Sequence, residues 1–447
     1  MKLSKILVDI KEKIGPLWWY AVIIFCAQRF SDVLNVFAGL WLVPKYVPEA
    51  ELGALQPLTQ IGGFLGFPLA ILVMPFIKLL NKHATNGELG KVKALLRDAM
   101  IASAVIFIGI MTVARIFLPS ILEYMRVKDG LLTMAVVFSS LLGTLAPVFS
   151  GALQALKRFK LVTISGLFTA PLRFVTLLVT LPIRGLTGYF VGQSVPPTLT
   201  LGVTVVDFFR KFGRKVKCEP YFRKDLPIFM AYLIPLSCLA LAGNLKGSLE
   251  MLILRNLPDT HSAAHYHITR FSEIATYLVS PVIFVMFPLI SEKFESGSKT
   301  KRMLNQTILF TLVAGFSVSV ILALVGPWIF TLHSMWKDFS PFTTLFGIST
   351  ATATLRMASS CFTTHEVACG RFRYAYYMVP ITLVEAAFYY LVLRRPDVLG
   401  IGIDTLNGFF SLVFVFTLIP FLVMMVDLFV DTGRNRQTGS EADLSNS

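Results

Sequence analysis

Charged residues are scarce in this chain of 447 residues: only 15% are Asp, Glu, Lys or Arg, whereas 55% are apolar. About a quarter of the residues in a soluble domain are charged, so this chain has too few charges to cover a soluble surface. Long stretches, such as 131–156 and 303–336, contain no charge. A helix of about 20 apolar residues crosses the hydrocarbon of a bilayer. We therefore predict an all-α integral membrane protein with twelve transmembrane helices, centred near residues 30, 68, 106, 144, 171, 196, 241, 281, 318, 354, 383 and 414.

The sequence also lacks the motifs of most soluble enzymes. Its five cysteines include no CxxC pair, so neither a disulfide framework nor a zinc site is indicated. There is no GxxxxGK[ST] motif to hold the phosphates of ATP. No nucleophile–base pair and no cluster of acids for a metal is recognisable. We expect no enzymatic activity, no metal and no cofactor, and we expect any driving force to come from a proton or sodium gradient.

The positive charge is distributed unevenly. The net charge is +15, and 27 of the 41 Lys and Arg residues fall on one side of the predicted spans, against 10 on the other. This is the positive-inside rule, so we place both termini in the cytoplasm. Anionic membrane lipids, and not nucleic acid, are the expected partners of these cations. Leu3, Ile6, Leu7, Ile10 and Ile14 share one helical face, which predicts an interfacial helix before an uncleaved first span.

An internal repeat is marked by prolines. Pro68 and Pro75 are seven residues apart, and so are Pro281 and Pro288, with 213 residues between the two pairs. The same offset aligns "RFK" at 158–160 with "RFR" at 371–373. We infer that the chain contains two copies of a six-span unit. Because six is even, the two copies have the same orientation in the membrane.

The repeat predicts how the chain is divided. We expect an N-lobe over 1–209, comprising the interfacial helix and six spans, and a C-lobe over 227–430. A basic cytoplasmic linker, 210–226, joins them, and the polar segment 431–447 is predicted to be a disordered tail. A proline in a helix frees a carbonyl, which is tolerated in a membrane only against protein or a wet cavity. We predict that the proline-containing spans are bent and line a cavity between the lobes; packing kinks without a role in transport are the alternative.

Two GxxxG spacings, Gly62–Gly66 and Gly188–Gly192, predict places where helices approach closely. Three histidines, His261, His265 and His267, have a spacing that resembles a metal site. We interpret them as part of a solvated loop or a sugar contact.

Charged residues within the predicted spans are the candidate site. The basic ones would together cost about 10 kcal/mol if unpaired, so they must be paired or wetted. They are Arg29, Arg173, Lys246 and Arg356. Arg29 can pair with Asp32 and Lys246 with Glu250, because each pair lies within one helical turn. One interpretation is that these charges are structural salt bridges.

The other interpretation is that the cations bind the phosphates of an anionic cargo, since Arg offers a planar fork that matches phosphate oxygens. Arg173 and Arg356 have no acid within one turn, and we favour them, with Arg29, as ligands. Coupling to an ion would need a carboxylate within the membrane, and the candidates are Asp32, Glu273, Glu385 and Asp404. Paired or interfacial acids without a coupling role are the alternative.

Three short segments carry a family resemblance. The segment that contains "FPLIS", followed by a basic loop and another span, resembles the multidrug/oligosaccharidyl-lipid/polysaccharide (MOP) exporter superfamily. "KYVPEAELGALQPL" and "LQALKRFKL" are similar to turns of its polysaccharide-transporter branch. The resemblance extends over nearly the whole chain.

This resemblance implies a V-shaped bundle of two parallel six-helix lobes around a central cavity. It implies a flippase in the inner membrane of a bacterium, which moves a polyprenyl-pyrophosphate-linked oligosaccharide by alternating access for polysaccharide biosynthesis. The polysaccharide polymerase machinery would be a partner, and we expect a monomer. The alternative is an ion-coupled multidrug or metabolite exporter of the same superfamily.

Overall fold

The computed structural model describes residues 29–126, 129–156, 158–212, 216–220, 222–295, 300–329, 331, 341–394 and 405–445. Within these ranges the regular structure is helical, with no strand. Contacts between residues group the chain into two units, Met1–Tyr266 and His267–Ser447. The predicted interfacial helix lies outside the described residues.

The first unit holds the first seven helices and the start of the eighth. Helix α1 is described over 29–46 and includes a π-helical turn, Ala38–Leu42. The long helix Phe159–Phe212 is broken at Gly185, where φ is 51°, and we name its two arms α5 and α6. The other helices are α2 (Glu49–Thr85), α3 (Leu89–Tyr124), α4 (Gly130–Ala155), α7 (Phe222–Asn256) and α8 (Asp259–Glu295).

The second unit contains the rest of α8 and four further helices. These are α9 (Lys301–Ile329), α10 (Leu345–Ala368), α11 (Arg373–Arg394) and α12 (Leu406–Ser445). Each of the twelve predicted span centres therefore falls within a helix of the described residues. Among the described residues, eight helical stretches are long and apolar enough to cross a membrane, and one of them, Ile164–Phe212, has 49 residues and covers both α5 and α6.

The unit boundary differs in position from the predicted linker. Helix α7, the first span of the second repeat, belongs to the first unit, where it packs along α2. The predicted lobes, 1–209 and 227–430, describe the repeat in the sequence and stay a prediction about the lobes of the protein. The repeat itself is visible in helix length, since α2 and α8 each have 37 residues.

The prolines do not interrupt the helices that contain them. Helix α2 is continuous through Pro57, Pro68 and Pro75, and Pro75 is buried whereas Pro68 is half-buried. Helix α8 likewise continues through positions 281 and 288, where the side chains of Pro281 and Pro288 lie outside the description. A cavity-lining role for these prolines stays a prediction.

The last helix, α12, continues to Ser445 and so includes residues 431–445 of the tail that was predicted to be disordered. Composition alone indicates disorder there because the segment is polar. A segment that continues an existing helix does not have to nucleate a new one, and nucleation is the unfavourable step in helix formation.

Both GxxxG predictions are confirmed. A Cβ atom added at Gly62 would overlap the Ser140 hydroxyl of α4, and one at Gly66 would lie 2.6 Å from Thr144 Oγ1. At Gly192 a Cβ would lie 2.8 Å from Thr180 Oγ1 of α5. Small residues therefore set how closely α2 approaches α4, and how closely α6 approaches α5.

Adding one methyl group to α2 should have unequal effects at adjacent positions. Gly62→Ala is expected to destabilise the protein by about 1–3 kcal/mol, because the side chains of α4 leave no room for it. Gly63→Ala is the matched control, because the nearest atom to its added Cβ would be Asn244 Oδ1 at 3.9 Å. Thermal unfolding of the two purified variants in detergent measures the difference. Equal melting temperatures would contradict the close α2–α4 contact.

A buried histidine joins the end of α2 to the start of α7. His83 is 2% exposed, and its Nε2 lies 2.8 Å from Asp225 Oδ2, while its Nδ1 contacts Glu88 Oε2. Lys82 Nζ donates to Asp225 Oδ1 at 2.7 Å, and Lys91 Nζ donates to Glu88 Oε1 at 2.8 Å. We call these five residues the His83 cluster.

The linker follows the same surface. Lys93 Nζ, in the first turn of α3, donates a hydrogen bond of 2.7 Å to the carbonyl of Val216, and the amide of Glu219 donates to the carbonyl of Gly90 at 3.3 Å. The described part of the predicted linker, 216–220 and its continuation into α7, is therefore held against the α2–α3 turn.

The His83 cluster predicts that the stability of the folded protein decreases at acidic pH. Hydrogen bonds from Lys91 and His83 lower the pKa of Glu88 below its ordinary value of 4.5. A carboxylate whose pKa is lowered by folding stabilises the protein above its unfolded pKa, and this contribution is lost as the pH falls through the folded pKa. Glu88→Gln should therefore flatten the fall of melting temperature below about pH 5. Unchanged curves for wild type and variant would contradict this role of Glu88.

A buried arginine joins two turns at the other ends of α3 and α7. Arg255 is 2% exposed; its Nε donates to the carbonyl of Met125 at 2.9 Å, and its Nη1 lies 2.7 Å from Asp259 Oδ1. The exposed Arg126 reaches the same Asp259 oxygen at 3.6 Å. Helix α7 is thus fastened at both ends to the α2–α4 part of the first unit.

Candidate functional site

The site is a polar group inside the otherwise apolar helices α1 and α5. In α1, Arg29 Nη2 pairs with Asp32 Oδ2 at 2.8 Å, as their spacing predicted. One turn further on, Asn35 Oδ1 accepts a hydrogen bond of 3.1 Å from Nη1 of Arg173 in α5. We call these four residues the α1–α5 group. It brings together three of the residues that the sequence singled out.

Arg173 is the least satisfied cation of this group. Its hydrogen-bond partner, the Asn35 amide, is neutral, and among the described residues its Nε is buried with no hydrogen-bond partner. Buried polar groups in proteins are nearly always hydrogen-bonded, so an exception of this kind points to a ligand or water. The group carries two guanidinium ions and one carboxylate, and its net charge is positive.

Helix α1 changes geometry just beyond this group. The π-helical turn Ala38–Leu42 follows Asn35, and Tyr266 Oη donates a hydrogen bond of 2.9 Å to the carbonyl of Gly39. Single π-turns inside α-helices occur frequently at functional sites. Aromatic contacts hold the same stretch, since the ring of Phe37 lies 5.0 Å from that of Trp41 and 5.9 Å from that of Phe174 in α5.

Lys246 lies where α7 passes close to α2. At the adjacent Gly247, a Cβ would come 2.5 Å from Nε2 of Gln60 in α2. Lys246 is half-buried and Glu250, one turn later, is 4% exposed. Both residues are engaged in contacts within the protein. An ion pair between them stays a prediction.

The other predicted site residues lie in the second unit or outside the described residues. Glu273 accepts two hydrogen bonds of 2.9 Å from Arg270 Nη1, and a third of 3.1 Å from Tyr277 Oη. Glu385 is 3% exposed in α11, whereas Arg356 is exposed on α10. Asp404 lies outside the described residues. The roles of these four in binding or coupling stay predictions.

The interpretation of the three histidines as a solvated loop is wrong. His261, His265 and His267 lie in the first turns of α8, and the last two are 4% and 1% exposed. The chain between α7 and α8 is very short, because α7 ends at Asn256 and α8 begins at Asp259. The histidines therefore fall inside the next helix and pack in the first unit or at its boundary.

The sequence did not identify Asn35 as a partner of Arg173, or His83 and Arg255 as residues that join α7 to other helices. Asn35 offered a signal, since an amide within an apolar span must find a partner. His83 contacts Asp225 across 142 residues and Arg255 contacts the Met125 carbonyl across 130, so local spacing could not reveal these two contacts, although Asp259 lies one turn from Arg255.

The helices have the fold of solved MATE transporters of the MOP superfamily. An inward-facing multidrug resistance MATE family transporter of the MOP superfamily has a TM-score of 0.67 with this chain at 13% identity, covering 92% of this chain and 98% of its own. An outward-facing multidrug resistance MATE family transporter of the MOP superfamily has a TM-score of 0.63 at 12% identity, covering 93% of this chain and 96% of its own. These likenesses show the fold class that the sequence predicted and do not show the polysaccharide branch.

A third structure is a MOP superfamily transporter from Pyrococcus furiosus, with a TM-score of 0.59 at 12% identity, covering 92% of this chain and 95% of its own. It is described as having a binding pocket of reverse polarity that suggests a different function. No family model and no curated protein sequence matches this chain.

Proposed function

We propose that this protein is a membrane exporter that works by alternating access, and that its cargo is an anionic drug or metabolite. The transporter fold, shared with solved exporters over more than nine-tenths of the chain, supports the first part. The half-buried Arg173, whose buried Nε has no hydrogen-bond partner among the described residues, supports the second and is the observation that carries it.

The charge of the α1–α5 group supports an anion rather than a cation. A cationic drug would need acidic and aromatic side chains, whereas this group has two arginines for one aspartate. An anion bound at Arg173 would satisfy the Nε and add a charge-assisted hydrogen bond, which is about twice as strong as a neutral one. The Pyrococcus furiosus transporter supports the idea that pockets of different polarity occur on this fold.

Asp32 is our candidate for ion coupling. Its carboxylate pairs with Arg29, so a proton or a sodium ion bound at Asp32 would neutralise the acid of the α1–α5 group. The affinity of the group for an anion would then depend on the ion, which is what coupling requires.

The second candidate cargo is a polyprenyl-pyrophosphate-linked oligosaccharide. It is favoured by the "FPLIS" and "LQALKRFKL" segments, and its pyrophosphate would present two or more charges to the same arginines. This lipid-linked cargo is larger than a small anion, and its polyprenyl chain would stay within the bilayer.

Transport by the purified protein in proteoliposomes tests the proposal. An imposed pH gradient is expected to drive movement of the anionic dye carboxyfluorescein and not of the cationic dye ethidium. The reverse preference would contradict an anionic cargo and favour a cationic-drug exporter. The flippase is tested by mass spectrometry of lipid extracts from cells with and without the gene. Accumulation of one polyprenyl-linked saccharide in the depleted cells, without dye transport, would favour it.

A further inference from the structure

A charged cleft opens in the second unit, away from the α1–α5 group. It has a volume of about 460 Å³ and lies between the start of α9, the end of α10, the start of α11 and residues 427–428 of α12. Its charged lining comes from all four helices and the α10–α11 turn, and consists of Lys301, His365, Glu366, Arg371, Arg373 and Asp427.

The cations of the cleft outnumber its acids, and the acids are already engaged by the protein. Glu366 Oε1 lies 3.0 Å from Nδ1 of the buried His365. Asp427 accepts a hydrogen bond of 3.2 Å from Tyr377 Oη and lies 3.6 Å from Arg373 Nη2. These acids therefore neutralise only part of the charge of Lys301, Arg371 and Arg373.

Backbone dipoles add to this charge. Helix α9 begins at Lys301 and α11 begins at Arg373, so two helix N-termini border the cleft. Each brings a partial charge of about +0.5 and amide N–H groups that suit an anion. The C-terminus of α10 opposes them with one partial negative charge, so the balance of the three termini is positive.

The floor of the cleft is held in place. His365 is 2% exposed, and its Nε2 lies 3.0 Å from Thr300 Oγ1, the hydroxyl just before α9. The guanidinium of Arg371 lies over the ring of Phe294 at 5.7 Å from its centroid. This contact positions the guanidinium at the rim of the cleft.

We propose that this cleft binds a phosphate-bearing anion, by Arg371, Arg373, Lys301 and the N-termini of α9 and α11. Arginine forks and helix N-termini are the groups that proteins use for phosphate. The positive-inside rule assigns this end of the helices to the cytoplasm, where the phosphate can come from an anionic lipid or from a soluble phosphate ester. The site is separate from transport and does not rest on the proposed cargo.

The test uses the full chain in nanodiscs and measures its melting temperature. One arm compares phosphatidylcholine alone with phosphatidylcholine that contains about one quarter phosphatidylglycerol. The other adds sodium pyrophosphate to phosphatidylcholine discs, with sodium chloride at equal ionic strength as reference. A ligand near a hundredfold excess over its Kd should raise the melting temperature by about 3 °C.

Stabilisation in the first arm identifies a lipid headgroup, and stabilisation in the second identifies a soluble phosphate. The R371Q/R373Q variant should lose this shift. The R302Q variant should keep it, because Arg302 follows Lys301 in α9 but does not line the cleft. Should R371Q/R373Q not fold, K301Q takes its place and should reduce the shift. No stabilisation of the wild type in either arm, or an equal shift in R371Q/R373Q, would overturn the proposal.

Discussion

Replacing Arg255 with methionine is expected to lower the free energy of unfolding by about 3 kcal/mol, the largest effect on stability that we predict. Methionine keeps most of the apolar stem but removes the hydrogen bond to the Met125 carbonyl and the ion pair with Asp259. A hydrogen bond to a charged group contributes about 1.5–3 kcal/mol, and a buried carbonyl left without a donor adds its desolvation cost. Chemical unfolding of the purified variant in detergent measures the loss.

Arg126 supplies the matched control, because it contacts the same carboxylate from the surface. Its Nη1 lies 3.6 Å from Asp259 Oδ1, and its side chain is 60% exposed. Exposed ion pairs contribute about 0–1 kcal/mol, so Arg126→Gln should change stability little. Similar losses in the two variants would show that burial of Arg255 contributes nothing beyond its charge.

Replacing Arg173 with glutamine is expected to reduce transport of an anionic cargo by about tenfold or more, the largest functional effect that we predict. Glutamine keeps a donor for Asn35 but removes the charge and the fork that would bind the anion. Arg173→Lys should fall between glutamine and wild type, because it restores the charge alone. Initial rates of carboxyfluorescein transport in proteoliposomes measure the order of the three proteins.

Arg184→Gln controls for the loss of one positive charge from α5. Arg184 is exposed and lies beside the Gly185 break, three turns from Arg173. Its replacement should leave transport rates near those of wild type. Wild-type rates for Arg173→Gln, or an equal loss in both variants, would remove the assignment of Arg173 as an anion ligand.

The helices of this protein could be predicted from its sequence because their signal is local. A charge-free run of the right length has few alternatives to a membrane helix, since every backbone group must be satisfied within it. The close approach of α2 to α4 was likewise readable, because Gly62 and Gly66 lie four residues apart on one face. The pairing of Arg29 with Asp32 belongs to the same class.

The contacts that hold the site together could not be predicted in this way. Arg173 and Asn35 are 138 residues apart, and the sequence around neither residue identifies the other as its partner. Arg255 contacts the Met125 carbonyl across 130 residues, and its side chain is 1% exposed. Each of these contacts depends on which helices are neighbours, and the sequence of one helix does not specify which helix packs against it.

The contacts that join both ends of α7 to the rest of the first unit have a consequence for how the chain can be divided. A truncated chain that ends near residue 209 would contain helices α1–α6 but not α7. The face of α2 that carries Gln60 and Gly63 would then have lost Gly247 and Asn244, and His83 would have lost Asp225. A six-helix half cut at the repeat boundary is therefore an incomplete folding unit. A split version of this protein intended to reassemble should therefore keep α7 together with the first six helices.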